Sequence, residues 1–182
     1  MSSVLSPVRE ANNKTAVVSP AQPRPRAPDH LLTRSTSLPR SQITGSARGI
    51  GKSIALRLAR DGFNIVVNDI APAKDAIDET VKEVEKIGRK AWGIPCDVSD
   101  YDAVKKMVDE VVQKSGRLDV MIANAGIAQV KELRSQTAAD LHKMFDVNFH
   151  GVANCYIHAA NAMIEAGTKG RIIGAASIVA YK

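Results

Sequence analysis

The stretch Thr44-Gly45-Ser46-Ala47-Arg48-Gly49-Ile50-Gly51 is the most informative part of this chain. It is followed by residues 52–61, in which small and branched apolar residues recur as they do in a helix packed closely on a sheet. Glycines let the backbone turn tightly and approach a pyrophosphate, whose charge is stabilised at a helix N-terminus. The pattern therefore predicts a dinucleotide-binding turn. Its predicted contact residues are Thr44, Gly45, Arg48, Gly49, Ile50 and Gly51.

An acidic residue stands where such a turn needs one. Asp69 follows Gly51 by 18 residues and comes at the end of the next apolar run. A carboxylate there can accept hydrogen bonds from the adenosine ribose and repel a 2′-phosphate. The predicted cofactor is therefore NAD, with NADP disfavoured.

Short apolar runs alternate with longer segments of helical period through the rest of the chain. This alternation predicts an α/β protein with a Rossmann-like, doubly wound parallel sheet. The predicted strands are residues 64–68, 90–94, 119–123 and 170–175. One helix is predicted between Pro72 and Gly88, and two others are predicted to begin at capping boxes, Ser99 with Asp102 and Thr137 with Asp140.

Composition excludes several classes of protein. The 182 residues are 45% apolar and 24% charged, which is typical of a soluble globular domain, and neither a membrane span nor a signal peptide is recognisable. The two cysteines, Cys96 and Cys155, lie far apart without a metal-binding spacing, so we expect reduced, buried thiols and no metal site. The expected location is cytoplasmic, with no membrane partner.

The first 42 residues differ from the remainder. They carry six Lys or Arg against two acidic residues, six of the eight prolines and seven serines, so most of the net charge of +6 belongs to them. Such a segment buries too little apolar surface to offset its ordering entropy, and it is predicted to be mostly disordered. A basic arm for nucleic acid or an organelle presequence is the alternative. Neither is favoured, because prolines interrupt any amphipathic helix and no aromatic residue accompanies the arginines.

Residues 43–177 strongly resemble the short-chain dehydrogenase/reductase family, whose T-G-x-x-x-G-x-G fingerprint is matched by Thr44, Gly45, Gly49 and Gly51. The resemblance implies that Asp97 and Val98 contact adenine. It also implies that Asn124-Ala125-Gly126 stabilise the sheet beside the cofactor. By the same resemblance, Asn148 holds a water in a proton relay and Ser177 binds the substrate carbonyl.

The chain departs from the family pattern at its end. Family chemistry uses a tyrosine as acid or base and a lysine four residues later, whose ammonium lowers the pKa of the phenol. The sequence ends five residues after Ser177, and the adjacent Tyr181 and Lys182 would project about 100° apart on a helix. The resemblance thus implies a domain truncated before the Tyr-x-x-x-Lys helix, incomplete at its C-terminal side. A family-type oligomer is not expected, because the elements that form its interface are missing.

A second departure lies before the glycine turn. Residues 14–18 are typical of the family's first strand, but residues 19–42 separate them from the turn. Either this insertion loops out and is dispensable, or part of it supplies the strand. We therefore predict a head over residues 1–42 with a remnant strand at 14–18, and a truncated Rossmann domain over residues 43–182.

The predicted function is that of an NAD-dependent oxidoreductase acting on a small carbonyl or alcohol. Residues 52–70 and 174–177 most resemble the branch of diacetyl/acetoin reductases. Because the tyrosine and lysine are missing, the chain itself is expected to be inactive. Two alternatives stay open, a catalytically silent dinucleotide-binding or interaction protein and a non-functional fragment.

Overall fold

The structure is a computed structural model that describes residues 38–177. Its strands are β1 (Arg40–Ile43), β2 (Asn64–Val67), β3 (Ala91–Gly93), β4 (Val120–Ala123) and β5 (Arg171–Gly174). Its α-helices are α1 (Gly49–Arg60), α2 (Lys74–Lys86), α3 (Tyr101–Ser115), α4 (Ala138–Phe145) and α5 (Gly151–Glu165). Among the described helices, none is long and apolar enough to cross a membrane.

All five strands are parallel, in the order β3-β2-β1-β4-β5, which confirms the predicted Rossmann-like sheet. Helices cover both faces. On one face α1 and α2 pack over Ile43, Ile65 and Val67, and on the other α3 and α5 pack over Val66 and Met121. The chain runs outward from β1 to β3 and then returns to place β4 on the other side of β1. The point where the strand order reverses therefore lies between β1 and β4, which is where ligands bind in open sheets of this kind.

One of the two predicted capping boxes is confirmed. Thr137 and Asp140 cap α4 reciprocally, through backbone-to-side-chain hydrogen bonds of 2.9 and 3.2 Å. The box predicted at Ser99 and Asp102 is wrong, because α3 begins at residue 101 and Asp100 therefore occupies the cap position, accepting from the Ala103 amide at 2.9 Å.

The strand before the glycine turn is the main difference from the sequence-based expectation. Residues 40–42, which we assigned to the head, form β1 together with Ile43. All of β1 pairs with β2, and its residues 41–43 also pair with β4. The predicted domain boundary after residue 42 thus falls inside a central strand. Of the two alternatives for the insertion, partial use as the strand is the one observed for these residues. The predicted strand at residues 14–18 lies outside the described part of the chain.

Polar side chains make β1 an unusual central strand. Ser41 and Gln42 are fully buried, and neither the Ser41 hydroxyl nor either amide atom of Gln42 has a hydrogen-bond partner among residues 38–177. Gln42 pairs with Val66 and Met121, so its side chain points into the core beneath α3 and α5. A buried polar group without a partner costs about 1–3 kcal/mol. The backbone ladder and Ile43, rather than these side chains, therefore hold β1 in place.

We predict that Gln42→Val stabilises the protein. The substitution removes two unpaired polar atoms and adds a residue that favours strands, so the free energy of unfolding should rise by about 1–3 kcal/mol in urea titrations. Gln113→Val, at an exposed position of α3, is the matched control and should not stabilise. A loss of stability in Gln42→Val would show that the amide is satisfied after all.

Candidate active site

A cavity of about 410 Å³ opens at the carboxyl ends of the central strands. Eight of the predicted cofactor-binding residues line it: Gly45, Arg48, Asp69, Asp97, Val98, Asn124, Ala125 and Gly126. The remaining four are close by along the chain but have other surroundings. Thr44 is buried beneath the turn, Gly51 packs against Gly45, and Gly49 and Ile50 face a separate surface depression beside α1.

The floor of the cavity is a hydrogen-bonded junction between the ends of β1 and β4. The Thr44 hydroxyl oxygen accepts from the backbone amides of Asn124 and Ala125, both at 3.0 Å. In return, the Asn124 side-chain amide donates to the carbonyl oxygens of Thr44 at 2.9 Å and Gly45 at 3.3 Å. These bonds fix the two strand ends at the reversal of strand order and keep the crevice between them open.

The glycine turn brings its own backbone onto the first turn of α1. A Cβ atom at Gly51 would lie 2.1 Å from the carbonyl oxygen of Gly45, so no larger residue fits there. Gly45 and Gly49 adopt positive φ angles of 63° and 57°. Arg48, at the N-cap of α1, makes no side-chain cap, and the first turn holds no acidic residue. This end of α1 thus offers backbone N–H donors, helix-dipole charge and an arginine to an anion, which fits a dinucleotide's pyrophosphate.

Both carboxylate oxygens of Asp69 are held at the cavity wall. One accepts from the Ala47 amide in the glycine turn at 3.2 Å, and the other accepts from the Ile70 amide at 3.0 Å. Each oxygen keeps further lone pairs that can accept from hydroxyl groups. The carboxylate is therefore oriented by backbone groups before any ligand binds.

The segment between β3 and α3 forms the opposite wall. Ser99 donates to the Asp97 carboxylate through its backbone amide and its hydroxyl, at 2.9 and 2.7 Å. Cys96 and Val98 are buried against the core but also line the cavity. Burial, helped by Asp97 and Asp100, raises the pKa of Cys96 to about 11, and burial raises that of Cys155 to about 12. Burial thus favours the protonated, less reactive form of both thiols at neutral pH.

The two predicted catalytic residues lie outside the cavity lining. Asn148 is in a π-helical turn, Asp146–His150, that joins α4 to α5. Its side chain exchanges two hydrogen bonds of 2.9 Å with the backbone of Ile127, the residue after Asn124-Ala125-Gly126. Ser177 follows β5 by three residues and is exposed. Tyr181 and Lys182 lie outside the described residues.

Six further residues line the cavity but were not predicted from the sequence: Asn68, Ile70, Cys96, Ile127, Lys143 and Val147. Three of these, Asn68, Ile70 and Cys96, are sequence neighbours of Asp69 or Asp97, and their positions at strand ends were a usable signal. Lys143 and Val147 come from α4 and the π-helical turn. Nothing in the local sequence indicates that Lys143 and Val147 reach the cavity, because their positions depend on how α4 packs against the rest of the domain.

Cavity, sheet order and glycine turn together define a dinucleotide-binding α/β domain, and comparison with known proteins is more specific. Residues 41–182 match the family model described as short chain dehydrogenase. A short-chain dehydrogenase/reductase of Armillaria gallica is 42% identical over 135 residues, covering 74% of this chain and 52% of that protein. The L-2,3-butanediol dehydrogenase of Corynebacterium glutamicum is 40% identical over 142 residues, covering 78% and 55%. The 3-oxoacyl-[acyl-carrier-protein] reductase of Staphylococcus aureus is 39% identical over 137 residues, covering 75% and 55%.

Solved structures of short chain dehydrogenases have a similar fold. A short chain dehydrogenase from Burkholderia cenocepacia in complex with NADP superposes with a TM-score of 0.72 and 34% identity over 79% of this chain and 57% of its own. One from Mycobacterium paratuberculosis bound to NAD has a TM-score of 0.70 and 35% identity, over 75% and 54%. The chain belongs to the short-chain dehydrogenase/reductase family, which binds NAD(P). It spans about half the length of the curated relatives it matches.

The contact between Gly51 and Gly45 leads to a stability prediction. Gly51→Ala should destabilise the protein more than Gly49→Ala, because the added methyl group strikes backbone at Gly51 but meets nothing within 4 Å at Gly49. Gly49→Ala should cost only the left-handed backbone penalty, about 1–2 kcal/mol. Urea unfolding of the two variants measures the difference. Equal losses would mean that the turn and α1 can move apart without cost.

Proposed function

We propose that this cavity binds NAD(H), with the pyrophosphate at the N-terminus of α1 and the adenosine ribose at Asp69. The observation that carries the proposal is the convergence on one cavity of the glycine turn, the oriented Asp69 carboxylate and the Asp97–Val98 wall. These are the groups that the family resemblance assigns to the cofactor. The preference for NAD rests on charge, because a 2′-phosphate near the Asp69 carboxylate would place like charges close together.

Two observations oppose a strong preference. Arg48 also lines the cavity and offers a cation that could pair with a 2′-phosphate. Solved relatives include both an NADP complex and an NAD complex at similar identity. We expect Asp69 to have a larger effect on the cofactor preference than Arg48. Two backbone donors hold the Asp69 carboxylate in place, whereas Arg48 is exposed.

For the whole protein we propose oxidation or reduction of a small alcohol or carbonyl compound. NAD(H), when bound, would supply or accept the hydride. Ser177 would donate a hydrogen bond from its hydroxyl group to the carbonyl oxygen and polarise the bond, and the tyrosine implied by the family resemblance would exchange the proton on that oxygen. Asn148, whose side chain is held by the backbone of Ile127, would hold the relay water that the family resemblance implies.

Two relatives point to substrates of different size. The butanediol dehydrogenase among the relatives favours a small diol, or the corresponding hydroxyketone or diketone, acetoin or diacetyl. The 3-oxoacyl-[acyl-carrier-protein] reductase, at almost the same identity, acts by its name on a 3-oxoacyl group carried by a protein. We propose the small substrate, because the resemblance drawn from the sequence of residues 52–70 and 174–177 is to that branch.

A silent binding or interaction protein is the second candidate. Large apolar side chains at Leu141, Phe145 and Phe149 are more than half exposed on α4 and the π-helical turn, a surface suited to a protein contact. An interaction protein that binds no nucleotide would leave Asp69 and Asp97 without a ligand to contact. Titration with the cofactor therefore distinguishes an interaction protein that binds no nucleotide from the reductase.

The cofactor preference is predicted to depend on Asp69. Fluorescence titration of the purified chain should show NADH binding about tenfold or more tightly than NADPH, and Asp69→Ser should reduce that ratio. Asp97→Asn is the matched control: it removes the other cavity carboxylate and should weaken both cofactors equally. Tighter binding of NADPH by the unsubstituted chain would overturn the assignment of NAD.

A polypeptide of these 182 residues is predicted to bind NADH without reducing diacetyl above the buffer rate. Its sequence holds no Tyr-x-x-x-Lys pair after Ser177, and general acid catalysis typically contributes 10² to 10⁴-fold. The assay follows NADH absorbance over a range of protein concentrations, so that a group donated by a second chain would be detected. Turnover abolished by Ser177→Ala but kept by Tyr181→Phe would show that the site is complete without the pair.

A further inference from the structure

Two buried asparagines hold the segment that carries Asp97 and Val98. Directly after β2, the Asn68 side-chain nitrogen donates to the carbonyl oxygens of Ile94 at 2.9 Å and Cys96 at 3.2 Å. From α5, the Asn154 side-chain nitrogen donates to the carbonyl oxygen of Val98 at 3.0 Å. The two asparagines are 0% and 7% exposed. Three carbonyls at alternate positions, 94, 96 and 98, are thus fixed by side chains from two different elements.

The arrangement around Asn68 is costly to stability. Its side-chain oxygen is buried and has no hydrogen-bond partner among the described residues. Rotating the amide would not help, because the oxygen would then face the two carbonyls that now accept hydrogen bonds. An apolar residue at this buried position would avoid the penalty of the unpaired oxygen but would remove the donor that the Ile94 and Cys96 carbonyl oxygens now have. The amide therefore fixes the backbone of residues 94–96 at the cost of one unpaired oxygen.

Asn68 also connects the segment to the glycine turn. Its backbone amide donates to the Ser46 hydroxyl at 3.1 Å, and its carbonyl accepts from the Ser46 amide at 2.8 Å. The next residue is Asp69, whose carbonyl accepts from the Cys96 amide at 2.9 Å. Asn68 itself lines the cavity. One residue thus joins the glycine turn, the Asp69 strand end and the Asp97–Val98 wall.

We propose that Asn68 and Asn154 are positioning residues for the adenosine side of the cavity, setting the wall formed by residues 96–98 against the glycine turn. The inference rests on the proposed binding of NAD(H). A shift of this wall would displace the Asp97 carboxylate and the Val98 backbone together, because they belong to the held segment. Ligands that contain adenosine should therefore depend on the two amides, and ligands without it should not.

The test compares Asn68→Ala and Asn154→Ala with a control, Asn64→Ala. Asn64 is a buried asparagine at the opposite end of β2, where its side-chain oxygen accepts from the Lys90 amide at 3.1 Å, away from the cavity. Each variant is titrated with NADH, with ADP, and with reduced nicotinamide mononucleotide, which lacks adenosine. Urea unfolding of each variant measures stability separately. Because alanine is the best helix former, Asn154→Ala in α5 keeps the proposal testable if Asn68→Ala does not fold.

We expect Asn68→Ala and Asn154→Ala to weaken NADH and ADP by the same factor, about five- to tenfold, and to change mononucleotide affinity by less than about twofold. Asn64→Ala should lose stability and keep its affinity for all three ligands. If the chain binds NADH and the two variants bind it unchanged, or no worse than Asn64→Ala, the positioning role is refuted while the proposed function stands. If the unsubstituted chain fails to bind NADH, both proposals fall.

Discussion

The structure depends on the hydrogen-bonded junction between the ends of β1 and β4. Parallel strands whose order reverses leave a crevice at their carboxyl ends, and that crevice is useful only if the strand ends keep a fixed separation. Thr44 and Asn124 provide this by exchanging side-chain and backbone hydrogen bonds across the crevice. Three other parts of the cavity are connected to this junction. The glycine turn leaves it directly, Asp69 is bonded to that turn, and the Asp97–Val98 segment is bonded to the strand of Asp69.

Strand β1 is packed in the apolar core at its carboxyl end but buries unpaired polar atoms in its middle. Its last residue, Ile43, is fully buried in the core under α1 and α2, whereas Ser41 and Gln42 bury polar atoms without partners. A central strand is held by backbone hydrogen bonds on both sides. Strand β1 therefore stays in place although it buries polar side chains that lack partners. Function at the carboxyl end is therefore compatible with a destabilising sequence in the strand that leads to it.

Much of this architecture could be predicted from sequence, for identifiable reasons. The strands after the glycine turn are short apolar runs bounded by polar residues, and their predicted positions match the observed ones within two residues at each end. Side chains at strand ends, such as Asp69 and Asp97, could be placed at the cavity because parallel strands bring their carboxyl ends together. Strand β1 could not be predicted, because Arg40-Ser41-Gln42 resembles no buried strand and its place is fixed by tertiary pairing. Lys143 and the amide network of Asn68 and Asn154 also depend on contacts between distant elements.

We propose that NAD(H) binds in the cavity at the β1–β4 junction, and an NADH titration of the isotope-labelled chain followed by amide nuclear magnetic resonance tests this directly. We expect concentration-dependent shifts of the backbone amides of Gly45, Ala47, Asp69, Val98 and Asn124, with the outer face of α2 unchanged. Absence of shifts at saturating NADH, or shifts confined to the depression beside α1 or to α4, would contradict it.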